Sequence, residues 1–199
     1  LKETLAAALV LITRWSGRDV FVDPFCGSGT IPIEAAMYAC DLKPGANRSF
    51  ISEERSPSLK KIYTEEKNAC RREEPCQLGH KIYASDSDPA VIRQAKENAK
   101  AAGVQSLIEF CCRDVKDLSF TESQGTIITN PPYGERLLNK QETEKLYRDL
   151  KEVFLPLKGW RVNVLSGHME FERHFGKKAF KNRKLYNGNK ITYYFQYKI

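Results

Sequence analysis

A chain of 199 residues, 41% of them hydrophobic, can bury one substantial core and reads as a single domain. No apolar run approaches the ~20 residues of a membrane-spanning helix and no signal peptide is visible, so a helical membrane protein is excluded and a soluble one expected. The formal charge of +7 is concentrated at one end: no acid follows Glu172, while eight bases from Arg173 to Lys198 are interleaved with Phe175, Phe180, Tyr186, Tyr193 and Tyr194.

That basic end has two readings, a solvated edge carrying core aromatics or a nucleic-acid contact surface. The six cysteines, Cys26, Cys40, Cys70, Cys76, Cys111 and Cys112, form no Cys-x-x-Cys pair and the three histidines are scattered, so no metal site is expected. Free thiols in a reducing cytoplasm fit that pattern better than disulfides. The chain opens on Leu1 rather than Met, which reads as part of a longer protein with a further domain before it.

In chain order, Leu5, Ala8, Leu9 and Ile12 recur at helical spacing and predict a helix over 1–15. An apolar strand, Asp19 to Phe25, runs into Cys26-Gly27-Ser28-Gly29-Thr30, and a helix follows over Ile31 to Ala39. A charged insertion at about 46–79 predicts a surface helix. The strand-helix unit then repeats: strand Lys81 to Ser85, the turn Asp86-Ser87-Asp88-Pro89 and a helix that stops at Gly103. Strands are predicted at Ile108 to Cys112, Thr126 to Thr129 and Trp160 to Leu165, with a helix from Lys140 to Phe154 before the last. Strands alternating with helices imply parallel pairing with right-handed crossovers. Lys181 to Tyr186 and Lys190 to Tyr197, flanking Asn187-Gly188-Asn189, predict a closing antiparallel hairpin. The expected class is therefore α/β, a mostly parallel seven-stranded sheet closed by an antiparallel hairpin and occupying 1–199 as one domain, an outline that resembles the Rossmann-like methyltransferases.

Ligands of open α/β sheets sit beyond the carboxyl ends of the strands, which directs attention to four loops. Gly27 and Gly29 lie where the first strand turns into a helix and would let a ligand approach the backbone, although a plain tight turn explains them as well. The stretch is neither a dinucleotide fingerprint nor a phosphate loop. Asp23 would place a carboxylate near an ammonium group. Asp86 can accept two hydrogen bonds from vicinal sugar hydroxyls, whereas Asp88 before Pro89 is more simply a helix N-cap. Asp114 could accept from an exocyclic amine of adenine, or cap its own loop. An ammonium-bearing tail, a ribose and an adenine describe S-adenosylmethionine.

The fourth loop, Asn130-Pro131-Pro132-Tyr133, ends the Thr126 to Thr129 strand in a rigid corner. Its amide oxygen and the Pro131 carbonyl can accept from a single planar NH₂ group and aim its nitrogen, the prolines hold that carbonyl still, and Tyr133 offers a face for stacking. A purely structural corner remains the other reading.

Asp23-Pro24-Phe25-Cys26-Gly27-Ser28-Gly29-Thr30-Ile31-Pro32-Ile33-Glu34-Ala35-Ala36, Ser85-Asp86-Ser87-Asp88-Pro89 and Asn130-Pro131-Pro132-Tyr133-Gly134-Glu135-Arg136 together resemble the THUMP-associated RNA methyltransferases. The nearest branch is the bacterial enzymes that methylate guanine N2 in 23S ribosomal RNA. Leu1 to Ala8 resembles that family's helix before the catalytic core, and Leu185-Tyr186-Asn187-Gly188 its terminal hairpin. The resemblance implies S-adenosylmethionine contacts at Asp23, Cys26, Gly27, Ser28, Gly29, Asp86, Ser87 and Asp114, a catalytic loop at Asn130, Pro131, Pro132 and Tyr133, RNA as substrate, no metal, and a THUMP-type domain elsewhere in the full-length protein. The chain departs from the family after Asn47-Arg48-Ser49-Phe50, where Ile51-Ser52-Glu53-Glu54-Arg55 is polar instead of aromatic. The Asn-Pro-Pro-Tyr corner also resembles that of DNA adenine-N6 and protein glutamine methyltransferases. A further alternative is a non-catalytic RNA-binding subunit.

Overall fold

The computed structural model describes residues 1–46, 48–70, 76–133 and 140–199. Seven strands form one sheet in the order β3-β2-β1-β4-β5-β7-β6. They are β1 (Val20–Asp23), β2 (Ile82–Asp86), β3 (Ile108–Cys112), β4 (Gly125–Thr129), β5 (Arg161–Ser166), β6 (Lys181–Asn187) and β7 (Lys190–Lys198). The first five pair in parallel; β7 runs antiparallel to both β5 and β6. The expected α/β class and closing hairpin are both present, with Asn187 paired to Lys190 across the two-residue loop Gly188-Asn189.

The helices are α1 (Glu3–Thr13), α2 (Thr30–Ala39), α3 (Pro57–Ala69), α4 (Pro89–Ala101), α5 (Lys140–Phe154) and α6 (Phe171–Phe175). Burial of β1 and β4 on both faces explains their unbroken apolar runs, since helices cover the sheet on each side. One core gathers α1, α2 and α4 around Trp15, Phe21 and Ile82. The other gathers α5 and α6 around Tyr147, Phe154, Trp160 and Phe171. On α4 the buried positions Ile92, Ala95 and Ala99 form one helical stripe, and Asp88 caps its start by accepting from the Ala90 N–H at 2.8 Å, with Pro89 in the first turn.

On α1 the buried face is Ala6, Leu9, Val10 and Thr13, one position round from the predicted stripe, with Leu5 and Ile12 half-buried. The Thr13 hydroxyl meets Tyr194 Oη at 2.5 Å and donates to the Leu9 carbonyl at 2.8 Å, so a polar residue can face the sheet. The insertion holds the expected surface helix, α3, which buries none of its side chains. Instead it packs on its own preceding turn: Phe50 stacks on Tyr63, Ser52 bonds Tyr63, and Lys67 meets Glu53 at 2.7 Å.

The expectation of free thiols is corrected at two positions. Cys40, capping the end of α2, is bonded to Cys76, with 5.7 Å between their Cα atoms. The two are 36 residues apart, so only tertiary placement brings them together and no local spacing announces the pair. Cys26, Cys70, Cys111 and Cys112 remain free.

Candidate active site

The strand order reverses between β1 and β4, the switch point at which open α/β sheets bind ligands. Four sequence-predicted positions converge there. Asp23 ends β1 fully buried, with Oδ1 accepting from the Thr129 hydroxyl at 2.7 Å and from the Phe25 N–H at 3.2 Å. Its other oxygen, Oδ2, is buried and has no partner among the described residues. Burial pushes its carboxyl up to about 7, outweighing those two hydrogen bonds, and the neighbouring charge of Asp86 adds to the rise.

At the end of adjacent β4, Asn130 Oδ1 is likewise buried without a partner. Buried acceptors are rarely left unpaired, because each unmet one costs on the order of 1–3 kcal/mol. Two of them on neighbouring strand ends mark places shaped for donors that arrive from outside. Thr129, the last residue of β4, ties the Asp23 loop to the Asn130 corner. Nothing local to Thr129 signals a partner 106 residues away, so in the sequence it is an ordinary strand end.

Gly27 and Gly29 differ in purpose. Both take left-handed backbone, with φ of 52° and 84°, and a side chain on Gly29 would press on Ala95 of α4 at 3.2 Å. A side chain on Gly27 would meet nothing within 4 Å, so that residue faces open space. Asp86 holds this loop shut: its Oδ2 accepts from the Gly27 N–H at 3.1 Å and its Oδ1 from the Asp88 N–H at 3.2 Å. Each carboxylate oxygen keeps further acceptor capacity for a sugar hydroxyl.

The remaining predicted residues lie around this centre. Cys26 is buried, and burial pushes its thiol up, so it is an apolar wall rather than a nucleophile. Ser28 bonds Thr30 through its hydroxyl and accepts from Asn98 through its carbonyl. Ser87 is exposed and its carbonyl accepts from Cys112 Sγ at 3.5 Å. Asp114 follows β3, is exposed and caps its own turn, Oδ1 accepting from the Lys116 N–H at 2.9 Å. That satisfies the loop-cap reading while leaving its second oxygen for an amine.

In the Asn-Pro-Pro-Tyr corner Pro131 is buried and Pro132 and Tyr133 are half-buried; Gly134, Glu135 and Arg136 of the same motif lie outside the described residues. Tyr133 is clamped at both ends. Asn187, at the end of β6, donates to its hydroxyl at 3.1 Å. Its ring lies against Gly167, just past β5, where an added Cβ would stand 2.7 Å and 2.9 Å from two ring carbons. Neither partner was singled out for this role from sequence. Gly167→Ala is expected to displace the ring and slow turnover at least tenfold, given the sensitivity of reacting geometry to ~1 Å shifts, with cofactor affinity kept. A turnover measurement matching wild type would show that the clamp does not set the Tyr133 face.

Comparison with known proteins settles the family. Residues 1–194 match the model described as RMKL-like, methyltransferase domain. The chain belongs to that family. YpsC of Bacillus subtilis, provisionally named an RNA methyltransferase, is 44% identical over 197 residues, 99% of this chain and 51% of that protein. The ribosomal RNA large subunit methyltransferase K/L of Shewanella frigidimarina is 40% identical over 196 residues, 94% of this chain and 27% of that protein. Among solved structures, SMU.472, a provisionally assigned methyltransferase complexed with SAH, superposes with a TM-score of 0.88 at 37% identity, over 99% of this chain and 52% of that one. The chain thus spans about half the length of YpsC, or less of the longer K/L protein. Among the described residues no cluster of His, Cys, Asp and Glu suits a metal ion, and no helix is long and apolar enough to cross a membrane.

Proposed function

We propose that this domain transfers a methyl group from S-adenosylmethionine to an exocyclic amine of an RNA base, with guanine N2 of large-subunit ribosomal RNA as the specific target. One observation carries the reading: Asp23 Oδ2 and Asn130 Oδ1, two buried acceptors without partners among the described residues, stand at the ends of adjacent strands at the switch point, where the Thr129 hydroxyl, next to Asn130, donates to the other oxygen of Asp23. The first suits the ammonium of the cofactor's amino-acid tail and the second the NH₂ of a base. The open space beside Gly27 admits the cofactor, and the spare capacity of Asp86 suits its ribose.

The cofactor supplies an electrophilic methyl carbon. The protein's part is alignment and charge placement. Asn130 Oδ1 and the Pro131 carbonyl accept from the same NH₂ group, drawing electron density onto a nitrogen whose lone pair is otherwise delocalised into the ring. Tyr133, fixed by Asn187 and Gly167, holds the base plane. Once alkylated, the nitrogen sheds its proton to water, so no strong base is required at the corner.

The domain layout follows from the same reading: 1–199 is the catalytic unit, and a THUMP-type domain elsewhere in the full-length protein grips the RNA, acting in the cytoplasm where ribosomal RNA is processed. The decisive test is mass spectrometry of nucleosides from ribosomal RNA and from genomic DNA of cells with and without the gene. Loss of N2-methylguanosine supports the target; loss of N6-methyladenosine from RNA or DNA would move the same corner to adenine.

Asp86→Ala is expected to weaken cofactor binding by about 1.5–3 kcal/mol, the scale of charge-assisted hydrogen bonds. Because Asp86 also accepts from the Gly27 and Asp88 N–H groups, the variant should lose some fold stability as well, which thermal denaturation reports separately from cofactor affinity. Calorimetry returning wild-type affinity would remove Asp86 from the ribose role.

A further inference from the structure

Next to the catalytic corner, the terminal hairpin and the start of α1 enclose a second recess. It measures about 350 Å³ and is walled by Lys2, Leu5 and Ala8 on one side and Tyr186, Asn187 and Gly188 on the other. A volume of that size suits a single small planar group with its substituents. Topology explains the position: the end of β6 and the ends of β4 and β5 share one edge of the sheet, and α1, which precedes β1, starts at that edge. The recess is joined to the proposed base-stacking face through one hydrogen bond, from Asn187 in its wall to the Tyr133 hydroxyl at 3.1 Å.

The lining has the chemistry of a nucleotide site. Tyr186 leaves 63% of its surface exposed, unusual for an aromatic ring with no partner in the core. The Lys184 ammonium, beside the recess, stands 5.7 Å from the centre of that ring, and Lys2 is part of the recess wall. No carboxylate side chain follows Glu172 in the sequence. An exposed ring with one ammonium group over it and a second lysine in the recess wall matches a group that is planar at one end and anionic at the other.

We propose that this recess takes a nucleotide flanking the target in the RNA strand, its base stacked on Tyr186 and its phosphate held between Lys2 and Lys184. The inference rests on the RNA reading of the neighbouring corner and adds to it a place where the strand is held. Such a contact has a clear use. Turning a target base out of a folded RNA breaks its stacking, and a neighbour stacked elsewhere on the enzyme offsets part of that loss.

The test uses the full-length protein and ribosomal RNA from cells lacking the gene. Tyr186→Ala is expected to lower kcat/KM for RNA about tenfold, the scale of losing one base–aromatic stack, with cofactor affinity unchanged and Tyr186→Phe close to wild type. Lys2→Gln combined with Lys184→Gln is expected to flatten the salt dependence of RNA binding, because fewer counterions are released. Wild-type kcat/KM in Tyr186→Ala would overturn the subsite while leaving the function standing. If the wild-type protein methylates no RNA, the functional reading fails instead, and the subsite is judged by anisotropy of a labelled RNA of about eight nucleotides. Binding several-fold weaker in Tyr186→Ala than in wild type upholds the subsite; equal binding overturns it.

Discussion

Asn130→Ala is expected to slow methyl transfer by on the order of 10²-fold or more while the cofactor binds as before, the pattern of losing a contact made in the transition state. The amide oxygen is buried and has no partner among the described residues, so no hydrogen bond there is lost with it. A residue kept for architecture behaves oppositely: removing it leaves others unsatisfied and lowers stability. Here the variant should melt at or above the wild-type temperature, because a buried unmet acceptor has been deleted. Single-turnover rates, cofactor titration and thermal denaturation on one preparation separate the two. A destabilised variant with parallel losses in binding and rate would make the corner a structural turn.

Asp23→Asn is expected to combine weaker cofactor binding with a more stable fold. The amide keeps an oxygen for Thr129 and the Phe25 N–H but places a neutral donor where Oδ2 stood, so an incoming ammonium loses its charge-assisted partner, worth about 1.5–3 kcal/mol. The effect on stability depends on pH. The carboxyl rises from 3.8 to about 7 on folding, so the folded state binds the proton more tightly than the unfolded one. Its contribution to stability is therefore full below about pH 4 and is lost as pH rises through about 7, at roughly 1.4 kcal/mol per unit. Above that range the wild-type chain carries a buried, half-satisfied charge that Asp23→Asn lacks. Melting curves should show the variant's advantage growing from pH 5 to pH 8. Cofactor affinity of the wild type should improve over the rising part of the same window, while that of the variant stays flat. Identical pH profiles would mean that Asp23 titrates elsewhere and does not meet the ammonium.

Much of this was legible because it is local. Apolar runs ending in glycine or proline announced the parallel strands, and the Asn187-Gly188 turn between alternating segments announced the hairpin. Asp88 declared itself a cap by standing before Pro89. What could not be read is what depends on distance in sequence: the Cys40–Cys76 bond, the Thr129 bridge to Asp23, and Gly167 under the Tyr133 ring. The short helix α6 escaped because five residues span barely more than one turn and show no period. The aromatics of the basic end divide between core and surface. Phe175 and Tyr194 are fully buried, whereas Phe180 and Tyr186 are 58% and 63% exposed.

The outermost strand, β6, has a neighbour on one side only. Such a strand offers a row of unpaired backbone groups on which a strand of another molecule could grow. Lys181, Arg183 and Lys184 are exposed along it, and a second copy's β6 laid alongside would bring ammonium and guanidinium groups together. The barrier to that pairing is electrostatic, so it weakens when salt or a polyanion neutralises the strand. The charges suited to drawing RNA toward the hairpin therefore also keep naked copies of the domain from joining edge to edge.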